Sequence, residues 1–415
     1  MGALLFGILL AACRSEEDSA KIFVTDIEIA QSGVFAPGDP VTVRASGFEA
    51  GDCILFDIRF PVEDELFPEG YARGIRAVER GRTEHSITVL APGGYPASTV
   101  GLLLQRGGAV QQLGTVRVSD GTPPAEYRLY GISDEAGEAR IERIDLAAGC
   151  VVDRMRVEGV ASLRCPVNEY GTNRIYGLAE RDGGCAGLFY DLTMRWTERS
   201  EQSYAAVGTI FASAAYLVRD GGRIRLEKFG ATRASQPIAP VAWTLSEGLT
   251  PGMFASVPFV YSACDGGLLL AADCGDGTFR PVVLTIPSAG CRVLVGEPVE
   301  AGALIPFATL RSREVDGRTQ QCLAGGFVVS KPGGGASELR LFDGVSMRFS
   351  EPFATLDDAV CSVTVDLDSE DREIYLLTED GQGSRRIRIY DQRQDSWRTS
   401  AAGSGLPYRS IVLAR

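Results

Sequence analysis

His85 is the only histidine in the chain, and that count alone removes much of ordinary catalysis. Serine and cysteine nucleophiles are commonly activated by imidazole, and imidazole is a frequent metal ligand. Histidine-dependent chemistry is therefore nearly excluded from everything after residue 125, while carboxylate, tyrosine, lysine and arginine chemistry stays open. The densest acidic cluster, Asp366-Leu367-Asp368-Ser369-Glu370-Asp371, sets oxygen ligands at alternate positions. As a calcium loop it lacks the glycine of a helix-loop-helix site, and a solvated hairpin turn explains it better. Paired carboxylates serve glycoside hydrolysis when held about 5 to 9 Å apart, and no spacing here fixes a pair at that separation. Trp196, Trp243 and Trp397 offer indole faces of the kind that stack on sugar rings, but all three fall at the same position of a repeat, which favours packing. No Gly-rich phosphate loop opens a helix, and no CxxC or Cys/His cluster is present. No catalytic residue, cofactor or metal site is expected.

The elements that must position such residues repeat from Tyr127 onward. Tyr390-Asp391, Tyr190-Asp191 and Phe342-Asp343 each end an apolar strand, turn, and lead into a strand carrying Trp397, Trp196 or Phe349. Trp243 fits the same place, and weaker copies put Val152 after Gly149-Cys150 and Val293 after Gly290-Cys291. These anchors recur about every 50 residues, the period of propeller blades. Strands beginning near Arg128, Arg174, Ala214, Gly267, Gly326 and Glu373 read as one equivalent inner strand per copy, which predicts six blades. No stretch keeps a helical period, so the ring is expected to be all-β. The first copy lacks a strand before Tyr127 while Tyr408 to Ala414 is a spare one, so pairing the last strand into the first blade would hide two sheet edges. The aromatic-Asp, turn and Trp pattern resembles the kelch repeat over Tyr127 to Arg415. The match is partial, because Gly183-Gly184 and Gly221-Gly222 follow the second strand only after polar residues, and no S-x-D-x-G-x-T-W sialidase box occurs.

Before the repeat, residues 21–119 alternate short apolar strands with turns. Strands are expected at Phe23 to Ile29, Val41 to Ala45, Ile54 to Phe60, Ser86 to Leu90, Val100 to Leu104 and Gly114 to Val118, the scale of a β-sandwich. Gly47-Phe48-Glu49-Ala50-Gly51-Asp52 ahead of Cys53-Ile54-Leu55-Phe56 resembles bacterial immunoglobulin-like modules. The charged stretch from Glu63-Asp64-Glu65 to Arg82-Thr83-Glu84-His85 reads as a solvated connection rather than a recognition loop. Residues 120–124, with Gly121, Pro123 and Pro124, form a linker to a ring spanning 125–415.

The amino terminus addresses location. An uncharged apolar run from Ala3 to Leu10 is followed by Ala11-Ala12-Cys13 and then Glu16-Glu17-Asp18. About eight apolar residues are too few for a bilayer span, which needs about 20. The arrangement resembles the signal peptide and lipobox of a bacterial lipoprotein, although Met1-Gly2 carries no basic residue. The resemblance implies removal of residues 1–12, acylation of Cys13, and an acidic tether over 13–20; the acidic run resembles the surface-export signal of lipoproteins in some Gram-negative gut bacteria. The partner so implied is a membrane reached through a lipid anchor, with an outer-membrane, surface-facing location.

Ten cysteines less Cys13 leave an odd nine, so at least one thiol has no intramolecular partner; a few bridges, or buried thiols, fit an exported chain. The 54 acidic residues exceed the 41 basic ones, a net charge of −13 that repels phosphate backbones, so no nucleic-acid partner is expected. Three functions fit: a non-catalytic ring that recognises a glycan or protein, a carbohydrate-active enzyme working through carboxylates, and an accessory subunit of an outer-membrane transporter. Side chains at the two mouths of the central channel discriminate between the first two, since an acid pair favours catalysis and an apolar or uniformly charged rim favours recognition.

Overall fold

The computed structural model describes residues 22–61, 71–107, 109–122, 126–169, 172–181, 184–210, 213–227, 241–246, 248–254, 257–286, 291–315, 318–333, 335–367 and 372–415. Cys13, the leader and tether, Glu63 to Glu65, the Pro123-Pro124 pair, Gly290 and most of the acidic cluster, Asp368 to Asp371, lie outside these. The chain divides into two compact units, between Gly121 and Thr122. Strands make up nearly all of the regular structure, and among the described residues helical structure is one 3-10 turn, Pro251–Phe254.

The first unit is two facing sheets. One runs Thr25–Ile29, Pro40–Ser46, Ser86–Leu90, Val78–Thr83, and the other Val34–Phe35, Ala109–Val118, Ser98–Arg106, Cys53–Pro61, Tyr71–Arg76. Period-two alternation turns Val41, Val43, Ile87 and Val89 of one sheet towards Ile54, Phe56, Leu102 and Leu104 of the other, all buried. The stretch expected to be a solvated connection is corrected in its later part. Tyr71–Arg76 and Val78–Thr83 are edge strands, one on each sheet, and the chain crosses between the sheets at Ala77. Edge strands with one face in water need little apolar content, so Val-Glu-Arg-Gly-Arg-Thr carries little strand signal in the sequence.

The second unit is a propeller of radial sheets. Its first sheet orders Cys150–Arg156, Glu138–Asp145, Arg128–Glu135 and Ser410–Ala414, so the last strand of the chain completes it, with Arg128 opposite Ala414 and Ile132 opposite Ser410. A seven-stranded sheet then runs from Leu163–Asn168 to Ala242–Thr244. In it the long strand Trp196–Ile210 is outermost for the strands before it and channel-lining for those after it. Three further sheets begin on Val260–Ser262, Ala303–Val315 and Ala359–Val365.

The strands facing the channel are Ser410–Ala414, Leu163–Asn168, the end of Trp196–Ile210, Val260–Ser262, Ala303–Val315 and Ala359–Val365, each next to the following one and the last next to the first. Their approach is close: a Cβ on Gly208 would meet the Phe259 carbonyl oxygen at 2.0 Å. The strands expected to be innermost, among them Arg128–Glu135, Arg174–Arg181 and Glu373–Glu379, are indeed equivalent, but each is second in its sheet. Both faces of a second strand are covered, so its continuous apolar run stands out more than the channel strand does.

Candidate functional site

The recurring aspartates turn out to build turns. Asp145, Asp191, Asp343 and Asp391 each accept, through Oδ1, the N–H groups two and three residues on, at 2.9 to 3.2 Å. Four residues on, Gly149, Arg195, Met347 and Asp395 take positive φ and start the return strand. The tryptophans that follow pack: Trp196 lies edge-on to Phe189 at 5.5 Å, Trp397 sits 4.9 Å from Tyr390, and the buried Trp243 donates Nε1–H to the Thr285 carbonyl at 2.9 Å. The other anchor positions, Val152 and Val293 included, lie on strands at the outer ends of their sheets, and Trp196 lies on the strand that is outermost for the strands before it. His85 is exposed in the turn joining two strands of the sandwich.

Two cavities lie along the channel among the described residues. One, about 130 Å³, lies toward the ends of the lining strands; Val167, Val260, Phe307, Val363, Val412 and Leu413 form it with Tyr127, Asn168 and Thr209, and among the described residues no charged one lines it. The other, about 280 Å³, lies at the starts of the same strands. Its wall includes Pro258, Ile305 and Val363, and its polar groups are Ser162, Arg164, Cys361, Ser362, Arg409 and Ser410. Among the described residues neither cavity is lined by an aspartate or glutamate.

Acids instead pair with the arginines. Arg409 pairs with Asp134 at 2.9 Å, and Arg164 pairs with Glu180. Ser362 fixes the last strand, accepting the Ile411 N–H at 3.1 Å. Ser162 is 6% exposed, and neither its hydroxyl nor that of Ser410 has a hydrogen-bond partner. Two thiols line the same cavity. Burial pushes Cys165 up to about 12 and raises Cys361, so both are neutral thiols at neutral pH and poor nucleophiles.

Tyrosine chemistry has candidates elsewhere in the sheets. Tyr176 donates to Glu169 at 2.9 Å, Tyr408 to Glu142 at 3.0 Å, and Tyr375 to Glu373. Burial raises all three phenols above their ordinary range and none of them lines either cavity. The arginines and serines of the second cavity escape a reading by local motif because they are scattered from Ser162 to Ser410. The signal that could find them is position: they open the lining strands, where the repeat leaves side chains unspecified.

A sandwich followed in sequence by a channelled ring of radial sheets defines an immunoglobulin-like plus propeller protein. The chain belongs to the DUF4784 family: residues 129–414 match its WD40-like domain and residues 21–126 its N-terminal Ig-like domain. A crystal structure of a DUF4784 family protein from Bacteroides caccae is similar over 95% of this chain and 100% of that chain, at 28% identity and a TM-score of 0.73. Lower similarity extends to TolB from Acinetobacter baumannii, 10% identical over 78% of this chain and 80% of that one, with a TM-score of 0.43. An auxiliary nutrient binding protein from Bacteroides thetaiotaomicron is 11% identical over 93% and 92%, with a TM-score of 0.35. No curated protein matches the chain.

Proposed function

We propose that this protein is a lipid-anchored, surface-facing recognition protein, whose kelch-like ring of six blades binds a glycan or protein without transforming it. The observation that carries the reading is the lining of the channel: one cavity is lined by uncharged, mainly apolar residues, the other includes two arginines and several serines, and neither has a carboxylate among the described residues. Among the described residues hydrolysis by an acid and a base has no pair to work with there, whereas a lining without carboxylates suits recognition. In this reading Cys13 carries the lipid, 13–20 is a tether, 21–119 the sandwich, 120–124 a linker, and 125–415 the ring.

Glycan-array and pull-down screens with the purified chain test the recognition half. Capture of a ligand that is recovered intact is the expected result. Release of product from a panel of glycosides and polysaccharides, above a heat-killed control, overturns it. The anchor is tested by labelled palmitate, which is expected to enter the parent chain and not Cys13→Ala. Protease shaving of intact cells is expected to cut the protein; protection until the outer membrane is opened overturns the outward-facing location.

A further inference from the structure

We infer that the apolar cavity of the channel is a subsite for one neutral phenolic ring, held by the hydrocarbon lining, with the ring O–H donated to Thr209 or Asn168. The inference rests on the recognition reading above and names a chemical group for it to recognise.

Size and lining set the ring. The cavity measures about 130 Å³, close to the roughly 150 Å³ of an apolar protein cavity that takes up one benzene. Val260, Val363, Val365 and Leu367 line it and are each only half-buried, so hydrocarbon surface stands open to water there and covering it is favourable. Among the described residues no charged one lines it, which makes it a poor place for an anion or a cation.

The polar groups set the substituent. Thr209 and Asn168 both line this cavity and both are half-buried. The Thr209 hydroxyl has no hydrogen-bond partner among the described residues and is open to solvent. Asn168 spends both N–H groups of its amide, on the carbonyls of Thr172 at 3.0 Å and Arg174 at 2.6 Å, which leaves the side-chain oxygen as a spare acceptor. Pro166, Pro258 and Pro306 also line the cavity and carry no backbone N–H, so the wall offers acceptors more readily than donors. The matching ligand brings one donor, an apolar ring and no charge. A phenol has all three, whereas a sugar is hydroxylated on every side and a carboxylate is charged.

Ligand-observed NMR titration of the purified full chain with phenol, toluene, benzoate and glucose tests the assignment. Phenol is expected to bind at least as tightly as toluene, although water solvates it better, and at least about tenfold tighter than benzoate or glucose. Thr209→Val, close in shape, weakens phenol about fivefold and leaves toluene unchanged. Ala308→Phe, which adds a ring to the lining, weakens both at least about tenfold, and Val345→Ala, in the exposed turn between Ser337–Asp343 and Arg348–Leu356, changes neither. Near-UV circular dichroism identical to the parent accompanies each variant that is scored. Competition with phenol by N-acetyltyrosinamide supports the subsite and assigns the ring to a tyrosine of a protein partner; phenol binding without that competition supports it and assigns the ring to a free phenol. Benzoate or glucose binding as tightly as phenol, toluene binding well above it, or phenol binding indifferent to either lining variant overturns the inference. Absence of phenol binding alongside capture of a glycan or protein overturns the subsite and leaves the recognition reading standing; release of product from the glycoside panel overturns that reading and leaves the subsite standing.

Discussion

Asp52 shows how one residue holds a turn in the sandwich. Its side chain accepts the Glu49 N–H at 2.8 Å and two contacts from Arg106 at 2.7 and 2.9 Å, and Arg106 also reaches the Gly47 carbonyl at 2.7 Å. The Gly-Phe-x-x-Gly-Asp motif is thus a turn gripped by an arginine half a domain away, a role its local spacing does not reveal. Gly47 is required there, since it has φ of 94° and a Cβ would meet the Phe23 carbonyl oxygen at 2.5 Å. Burial opposes charge on Asp52, but the Arg106 and Glu49 hydrogen bonds outweigh it and hold the carboxyl below its ordinary range. With the folded value below the unfolded one, the stabilisation is full above about pH 4 and fades as pH falls through the folded value. Asp52→Asn is expected to flatten that acid limb in urea unfolding, and Asp52→Ala to cost about 2 kcal/mol at pH 7, because Arg106 loses two charge-assisted hydrogen bonds while keeping Glu49 and the Gly47 carbonyl. Among the turn aspartates, burial sets the rank. Asp191, 2% exposed and also bound by Asn173 and Arg174, is expected to cost about 3 kcal/mol on change to alanine, against about 1 kcal/mol for the exposed Asp343.

At the scale of elements, the last strand matters most. Ile411, Val412 and Leu413 are each at most 5% exposed, and burying three such side chains stabilises by roughly 5 to 9 kcal/mol, comparable to the whole stability of many domains. A chain ending at Arg409 is therefore expected to lose its cooperative melt and to aggregate in size-exclusion chromatography, as the edge of Arg128–Glu135 is left open. The strand missing before Tyr127 and the spare one at the end made this pairing legible in the sequence. Second strands were equally legible, because burial on both faces gives unbroken apolar runs such as Gly267 to Ala271. Channel strands were not: Leu163-Arg164-Cys165-Pro166-Val167-Asn168 mixes polar and apolar residues, since one face meets the cavity. The mouth was illegible for the same reason, its arginines and serines being brought together only by the ring.

Across the molecule, Cys264 and Cys322 form a disulfide between residues 58 apart, tying the turn after Val260–Ser262 to Arg318–Ser330 of the neighbouring sheet. Peptide mapping without reductant is expected to recover that link, and reduction to lower stability by about 4 kcal/mol, read from the melting temperature with and without reductant. The other seven described cysteines are not disulfide-bonded, which agrees with an odd count. The way the ring ends also dictates when it can be finished. The first sheet is completed by residues 410–414, far along the chain from its other strands, so the edge of Arg128–Glu135 stays unpaired until those residues have been made and have docked. Holding that edge silent in the interval falls to whatever escorts the nascent chain, and a product released before residues 410–414 are made would have no way to shut the ring.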